Sequence, residues 1–253
     1  MSDDANVRIG AWIARGGAGS DGFYIGENGL KGVFNGPGVR GDSVPRPQAH
    51  GDFDVPVFRS PRIVSIVGPC EGPSAERLDW YGNQLTGLLA DGQAGQVIFD
   101  IPGGVRWGMG RLFDQPDFEP ELWGSRYDWQ LQLKFANPRL FGEARTFVAG
   151  EPAFHYGNFA ATELITVTGN EPGGYTIYGP NGKQFIVTAP LVAGHPHTID
   201  MSKGVGLLSV DGAYVMGGLG SRTDVWAIPS GAQVVATVSG SAALSRMVPD
   251  TFL

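Results

Sequence analysis

The chain has 253 residues, of which 42% are hydrophobic and 17% charged, and that balance excludes wholesale disorder. Its formal net charge is −7 with no Lys/Arg-rich run, which argues against wrapping nucleic acid, since that needs clustered cations to displace phosphate counterions. The 40 glycines and 18 prolines follow no G-X-Y period, a pattern that suits many short strands joined by many turns.

Along the chain, the N-terminal MSDDANVRIGAW lacks the basic and apolar regions of a secretory signal. No apolar run approaches the ~20 residues that span a bilayer. The expectation is a protein made in a cytoplasm that stays soluble, without membrane insertion. Gly16-Gly17-Ala18-Gly19 and the stretch from Gly36 to Gly51 read as glycine- and proline-rich loops. The first precedes Gly22 but lacks the βαβ unit that seats a pyrophosphate, so no dinucleotide site is expected. Residues 62–67 read as a strand that is apolar at nearly every position and therefore buried. Cys70 follows it, with no partner for an internal disulfide and no nearby His in sequence, which makes it a passive thiol.

A helix is predicted next, with Ser74 as its N-cap. Leu78, Tyr81, Leu85, Leu88 and Leu89 form its apolar stripe, and Asp91-Gly92 ends it. Gly82 and Gly87 each cost up to ~1 kcal/mol relative to Ala, so the helix requires support from packing. Residues 96–100 and 104–113 read as strands. Trp129 to Phe135 alternates strictly, with Trp129, Leu131, Leu133 and Phe135 on one face, and Asn137-Pro138 stops it.

From about residue 146 the pattern is almost purely strand and turn. Strands are predicted near 163–168, 175–178, 184–188, 205–210, 213–216, 224–228, 233–238 and 244–248, a spacing typical of an antiparallel sandwich. Asp211-Gly212 is a two-residue hairpin signal. The expected architecture is mainly β, in two domains spanning 1–145 and 146–253.

Three constellations could carry chemistry. His195-Pro196-His197 with Asp200 resembles metal ligands, and an H-x-H pair would serve a cupin-type enzyme. A cupin needs a third His after Pro229-Ser230-Gly231, where none exists, so a polar turn between strands is expected. Asp114, Asp117, Glu119 and Glu121 are paired carboxylates of the kind used in glycoside hydrolysis, but Pro116 and Pro120 point to an extended solvated loop. Trp107, Trp123, Tyr175, Tyr178 and Trp226 offer flat faces for stacking on a sugar ring, with Tyr175 and Tyr178 the candidates for glycan contact. No catalytic residue, metal ligand or cofactor site is assigned.

Taken in order, these segments resemble the distal tail proteins of siphophages. The resemblance rests on the strand and helix of 62–91, and on Trp129-Gln130-Leu131-Gln132-Leu133-Lys134-Phe135-Ala136-Asn137-Pro138-Arg139. It continues through Glu163-Leu164-Ile165-Thr166-Val167-Thr168-Gly169, then His197-Thr198-Ile199-Asp200 leading to Leu207-Leu208-Ser209-Val210-Asp211-Gly212, and Trp226-Ala227-Ile228-Pro229-Ser230-Gly231. It implies an N-terminal β-barrel-like ring domain with one helix and a C-terminal galectin-like β-sandwich. It further implies a non-enzymatic virion protein of the tail tip that forms a homohexameric hub ring through which DNA passes. The implied neighbours are the tail tube protein and a tail-tip hub or tail-associated protein, with a receptor-binding protein or host glycan as further partners. No sequence-specific nucleic acid contact is implied.

Overall fold

The computed structural model describes residues 5–120, 126–204 and 206–253. Glu121 and Trp123, and Val205 at the start of one predicted strand, lie outside the described residues. The chain divides into two compact units, Met1–Leu140 with Leu253, and Phe141–Phe252.

Unit 1 contains β1 (Asn6–Ile9), β2 (Trp12–Arg15), β3 (Gly22–Tyr24), β4 (Leu30–Lys31), β5 (Val39–Arg40), β6 (Phe58–Arg59) and β7 (Arg62–Glu71). There follow α1 (Ala75–Thr86), β8 (Gly95–Ile101), β9 (Gly104–Leu112), β10 (Asp117–Pro120) and β11 (Arg126–Phe135). Seven strands close into a barrel in the order β11-β7-β3-β2-β1-β8-β9, with β9 returning to β11 at Leu133↔Leu112 and Lys134↔Arg111. Closure removes free edges from the barrel itself.

The alternation read in the sequence of β11 is what fills this barrel. Trp129, Leu131, Leu133 and Phe135 are at most 1% exposed, and they lie opposite Gly68, Ile66, Val64 and Arg62 of β7. Each fully buried large apolar side chain contributes roughly 1.5–3 kcal/mol. Trp129 also donates its Nε1–H to the carbonyls of Tyr24 (3.2 Å) and Pro69 (3.1 Å). β7 departs from the expected fully buried strand. Its burial alternates, and Val67 is 39% exposed, because only one face of a barrel strand meets the core.

α1 starts as predicted, with Ser74 Oγ accepting from the Arg77 backbone N–H at 3.3 Å. It ends at Thr86, short of the predicted Asp91. Beyond Gly87 the backbone tightens into three-residue turns, Leu88 N to Leu85 O (3.2 Å) and Gly92 N to Leu89 O (3.1 Å), so Leu88 and Leu89 leave the stripe. The acidic segment is also corrected. Asp117–Pro120 is a strand paired with β11, with Asp117 and Glu119 exposed and Phe118 packed toward Phe23 and Tyr127. Antiparallel pairing with β11 makes it a strand, and its carboxylates face solvent rather than a shared cleft.

The later strands are β12 (Leu140–Val148), β13 (Leu164–Thr168), β14 (Tyr175–Tyr178), β15 (Gln184–Val187), β16 (His197–Asp200) and β17 (Leu207–Val210). They continue with β18 (Ala213–Tyr214), β19 (Leu219–Thr223), β20 (Thr237–Val238) and β21 (Ala243–Phe252). One sheet runs β12-β21-β13-β16-β17-β18, and a second runs β19-β15-β14-β20. Their inner faces share one core, with Ile165, Val167, Ile199 and Leu244 from the first and Tyr175, Ile177, Phe185 and Val187 from the second. The β17–β18 hairpin turns at Asp211-Gly212, with φ of 49° and 80°, both left-handed as a tight two-residue turn demands.

Two predicted strands of this unit are not continuous strands. In 224–228, Asp224 N bonds to Gln184 O while Ile228 pairs with Ala161, so the backbone partners are split between two segments and no ladder forms. In 233–238, Val234 makes an isolated bridge to Ala153, and only Thr237–Val238 pairs with β14. Deep in this core, Arg246 forks onto Glu163 (Nε–Oε2 2.6 Å, Nη2–Oε1 2.9 Å), and Trp226 Nε1 donates to the same carboxylate at 2.7 Å.

Candidate functional site

The two histidines considered as a metal pair do not converge. His195 sits in a surface turn, its Nδ1 2.6 Å from Asp211 Oδ2, and both side chains are at least half exposed. His197 corrects the expected polar turn. It is the first residue of β16 and 1% exposed, with Nδ1 3.2 Å from the Tyr175 hydroxyl. Burial pulls its pKa below the usual imidazole value. His155 is likewise a satisfied core residue, bonded to Ile228 O (3.1 Å) and Gly157 N (3.0 Å). Among the described residues no group of three or more His, Cys, Asp or Glu side chains is placed to hold a metal ion.

The two tyrosines considered for glycan contact lie on opposite sides of one strand. Tyr175 is 3% exposed and belongs to the core, whereas Tyr178 is 45% exposed. Positions three apart on a strand cannot share a face, which removes Tyr175 from any surface platform. Trp226 is 4% exposed and committed to the Glu163 carboxylate. Cys70 is fully buried, and burial, with the nearby Glu71 and Asp21 charges, pushes its thiol up to about 12. The sequence marks it as passive for want of a nearby His, whereas in the structure it is burial that keeps the thiol protonated.

The surface feature that sequence reasoning missed is the stretch read as a loop from Gly36 to Gly51. It belongs to a two-stranded arm. Val39 pairs with Arg59 and Arg40 with Phe58, and farther out Phe53 N bonds to Val44 O (2.9 Å) and Arg46 N to Gly51 O (3.1 Å). The arm projects Val39, Val44, Phe53, Val57 and Phe58, which are 44–66% exposed. An isolated two-stranded ribbon is marginal in water, and clustered exposed apolar side chains mark interaction surfaces. Glycine and proline content disguised it, while the Val and Phe residues on either side of the tip were the available signal.

The root of the arm is fixed. Arg62, which follows it, is 2% exposed and donates to the carbonyls of Asn35 (2.7 Å) and Pro138 (2.9 Å). Burial pulls its guanidinium pKa down from the usual value, and the carbonyl acceptors hold the cation in place. At the opposite end of β7, Asp21 binds Arg77 (Nε–Oδ1 3.2 Å) and accepts from the Tyr81 hydroxyl (2.9 Å), tying α1 to the turn before β3. These hydrogen bonds, that from Arg77 first, lower the Asp21 pKa.

Comparison with known proteins places this architecture. No protein-family model matches the sequence, and no curated protein matches it. Among solved structures, the phage P2 baseplate in its activated conformation with Ca aligns over 83% of this chain and 87% of that one, at 7% identity and a TM-score of 0.49. SPP1 Dit, a paradigm of the hub adsorption apparatus in phages infecting Gram-positive bacteria, aligns over 90% of this chain and 93% of its own, at 14% identity and a TM-score of 0.73. Over nine-tenths of its length, the chain therefore has the fold of a phage tail hub protein.

Proposed function

We propose that this chain is a phage virion structural protein of the tail tip, a distal tail protein whose copies form a hexameric ring. In this reading the ring joins the tail tube protein to the tail-tip hub or tail-associated protein and leaves a passage for DNA. The observation that carries it is the fold shared with SPP1 Dit along almost the whole of both chains. The exposed apolar arm supports the assembly part, since a monomer has no use for such a surface. The net charge of −7 suits a channel wall to which DNA does not adhere. The protein is made in the host cytoplasm and acts by assembly, without catalytic residues or cofactors. The barrel unit forms the ring, and the galectin-like sandwich offers a surface for a receptor-binding protein.

The test is the solution mass of the purified protein by light scattering, with negative-stain imaging of the same sample. A particle of about six times 26.8 kDa with a central hole is expected. A strict monomer at high concentration that does not assemble when tail components are added would overturn the reading.

The second reading is contact with host glycans through the sandwich, favoured by the exposed ring of Tyr178. Titration of the full protein with host cell-wall glycans, beside Tyr178→Ala, tests it. Equal or absent binding in both proteins removes that role for Tyr178.

A further inference from the structure

The first sheet of the C-terminal unit ends at β18, which has β17 on one side and, among the described residues, no strand on the other. The register Val210↔Ala213 and Ser209↔Tyr214 encloses the two-residue turn, and Val215 N bonds to Leu208 O at 3.0 Å. Hydrogen-bonded and non-hydrogen-bonded pairs alternate along such a hairpin, so the backbone N–H and C=O of Ala213 and Val215 face β17. Those of Tyr214, and the N–H of Met216, therefore face the open edge. The same alternation puts the Tyr214 and Met216 side chains together on one face of the sheet, where they are 69% and 99% exposed. Beyond them Gly217 and Gly218 take φ of 102° and 72°, which ends the strand, and Gly218 O accepts from Thr188 N (2.8 Å) and Ala189 N (3.0 Å). The edge is thus anchored at both ends before anything pairs with it.

Natural sheet edges are guarded by Lys, Pro, bulges, inward charges or short length. Residues 212–221 contain no charged side chain and no Pro, so shortness is the guard that this edge retains. A row of outward N–H and C=O groups is matched by one kind of ligand, another extended backbone. The want of charge around it selects a segment that is itself uncharged where it passes Tyr214 and Met216, because a charge laid there would lose water without gaining a partner. Pairing with the same edge of a second copy would be two-fold, and a two-fold contact joins copies in pairs without propagating around a ring. We propose that β18 receives, by strand addition, an extended uncharged segment of a different tail-tip protein. The inference rests on the ring reading and names where the C-terminal unit holds a neighbour.

The experiment uses the full chain assembled into tails in infected host cells, with a benzophenone side chain in place of Met216 as the probe. A cross-link to one extended stretch of a different tail protein is expected. Tyr214→Pro removes an N–H that faces outward, a position where edge strands accept Pro. The melting temperature is therefore expected to hold while the cross-link falls about tenfold or more. Tyr214→Thr also loses the ring but keeps the N–H and the strand preference, and it is expected to retain the cross-link. Equal cross-linking in the two variants would show that the backbone edge is not what the partner recognises. Tails that contain the chain and yield no cross-link would overturn the site. A cross-link only to a second copy would overturn the choice of partner. A chain missing from purified tails would sink the tail-tip reading itself.

Discussion

Glu163 and Arg246 have no solvent-exposed side-chain surface, so each depends on the other for its charge to be tolerated. Glu163→Ala leaves a buried guanidinium with carbonyl partners only, and a loss of about 3–5 kcal/mol is expected in urea denaturation. Replacing both residues with methionine should recover part of that loss, because an apolar pair carries no uncompensated charge while the Trp226 Nε1–H still loses its acceptor. A double variant as unstable as the single one would refute this account. Burial also sets an alkaline limit. The Cys70 thiol is raised from 9.0 to about 12, and burial raises the Tyr175 phenol as well. Above pH 9 the unfolded chain releases the Cys70 proton that the folded chain retains, so this stabilisation is complete below pH 9 and is lost as pH rises toward about 12. The melting temperature is expected to fall over that range, and to fall less in a Cys70→Ala, Tyr175→Phe protein. Little of this was legible beforehand. Glu163 and Arg246 are 83 positions apart, and nothing in the local pattern of either pairs them. The burial of Tyr175 was legible in principle, since the two-residue pleat forbids it a common face with Tyr178.

At the level of elements, α1 shows how a locally poor residue can be the right one. An ideal Cβ at Gly82 would lie 2.9 Å from the Phe118 ring, so the glycine admits the β10 aromatic against the helix. Gly82→Ala improves helix propensity by about 1 kcal/mol, yet it should lower stability overall by about 1–3 kcal/mol through overpacking. In a Phe118→Leu background the same substitution should cost less or become favourable, a coupling that a double-mutant cycle reads directly. Equal effects in both backgrounds would show that the ring is not the constraint. The elements that were legible in sequence are those whose burial is one-sided and local, such as Trp129–Phe135 and the Asp211-Gly212 hairpin. Leu219–Thr223 was missed because Leu-Gly-Ser-Arg-Thr has no alternation and a single β-branched residue, Thr223, and its pairing with β15 is supplied by tertiary context. Residues 224–228 failed in the opposite direction, because alternating burial of Trp226 and Ile228 needs only an extended backbone.

For the whole molecule, the arm offers the cleanest separation of folding from assembly. Val39 and Arg59 are paired residues, so the two ends of the arm are ~5 Å apart and a two-residue Asn-Gly turn can join them. The anchor of the root, Arg62 on the carbonyls of Asn35 and Pro138, lies outside the excised part. The shortened chain should therefore keep the circular dichroism and melting behaviour of the intact protein, since the arm residues removed are overwhelmingly solvent-exposed. Its association should be lost, because burying Val57 and Phe58 against a neighbour is worth roughly 25 cal/mol for each Å² removed from water. Salt tests the apolar character of this contact. Apolar burial is held or strengthened by sulfate, whereas contacts between exposed charges weaken as the Debye length shrinks to ~3 Å near 1 M salt. Rings that survive sulfate in the intact chain and never form in the shortened one would identify the arm as the dominant contact. Full-sized rings from the shortened chain would assign closure to the barrel surfaces and leave the arm for a different neighbour in the tail.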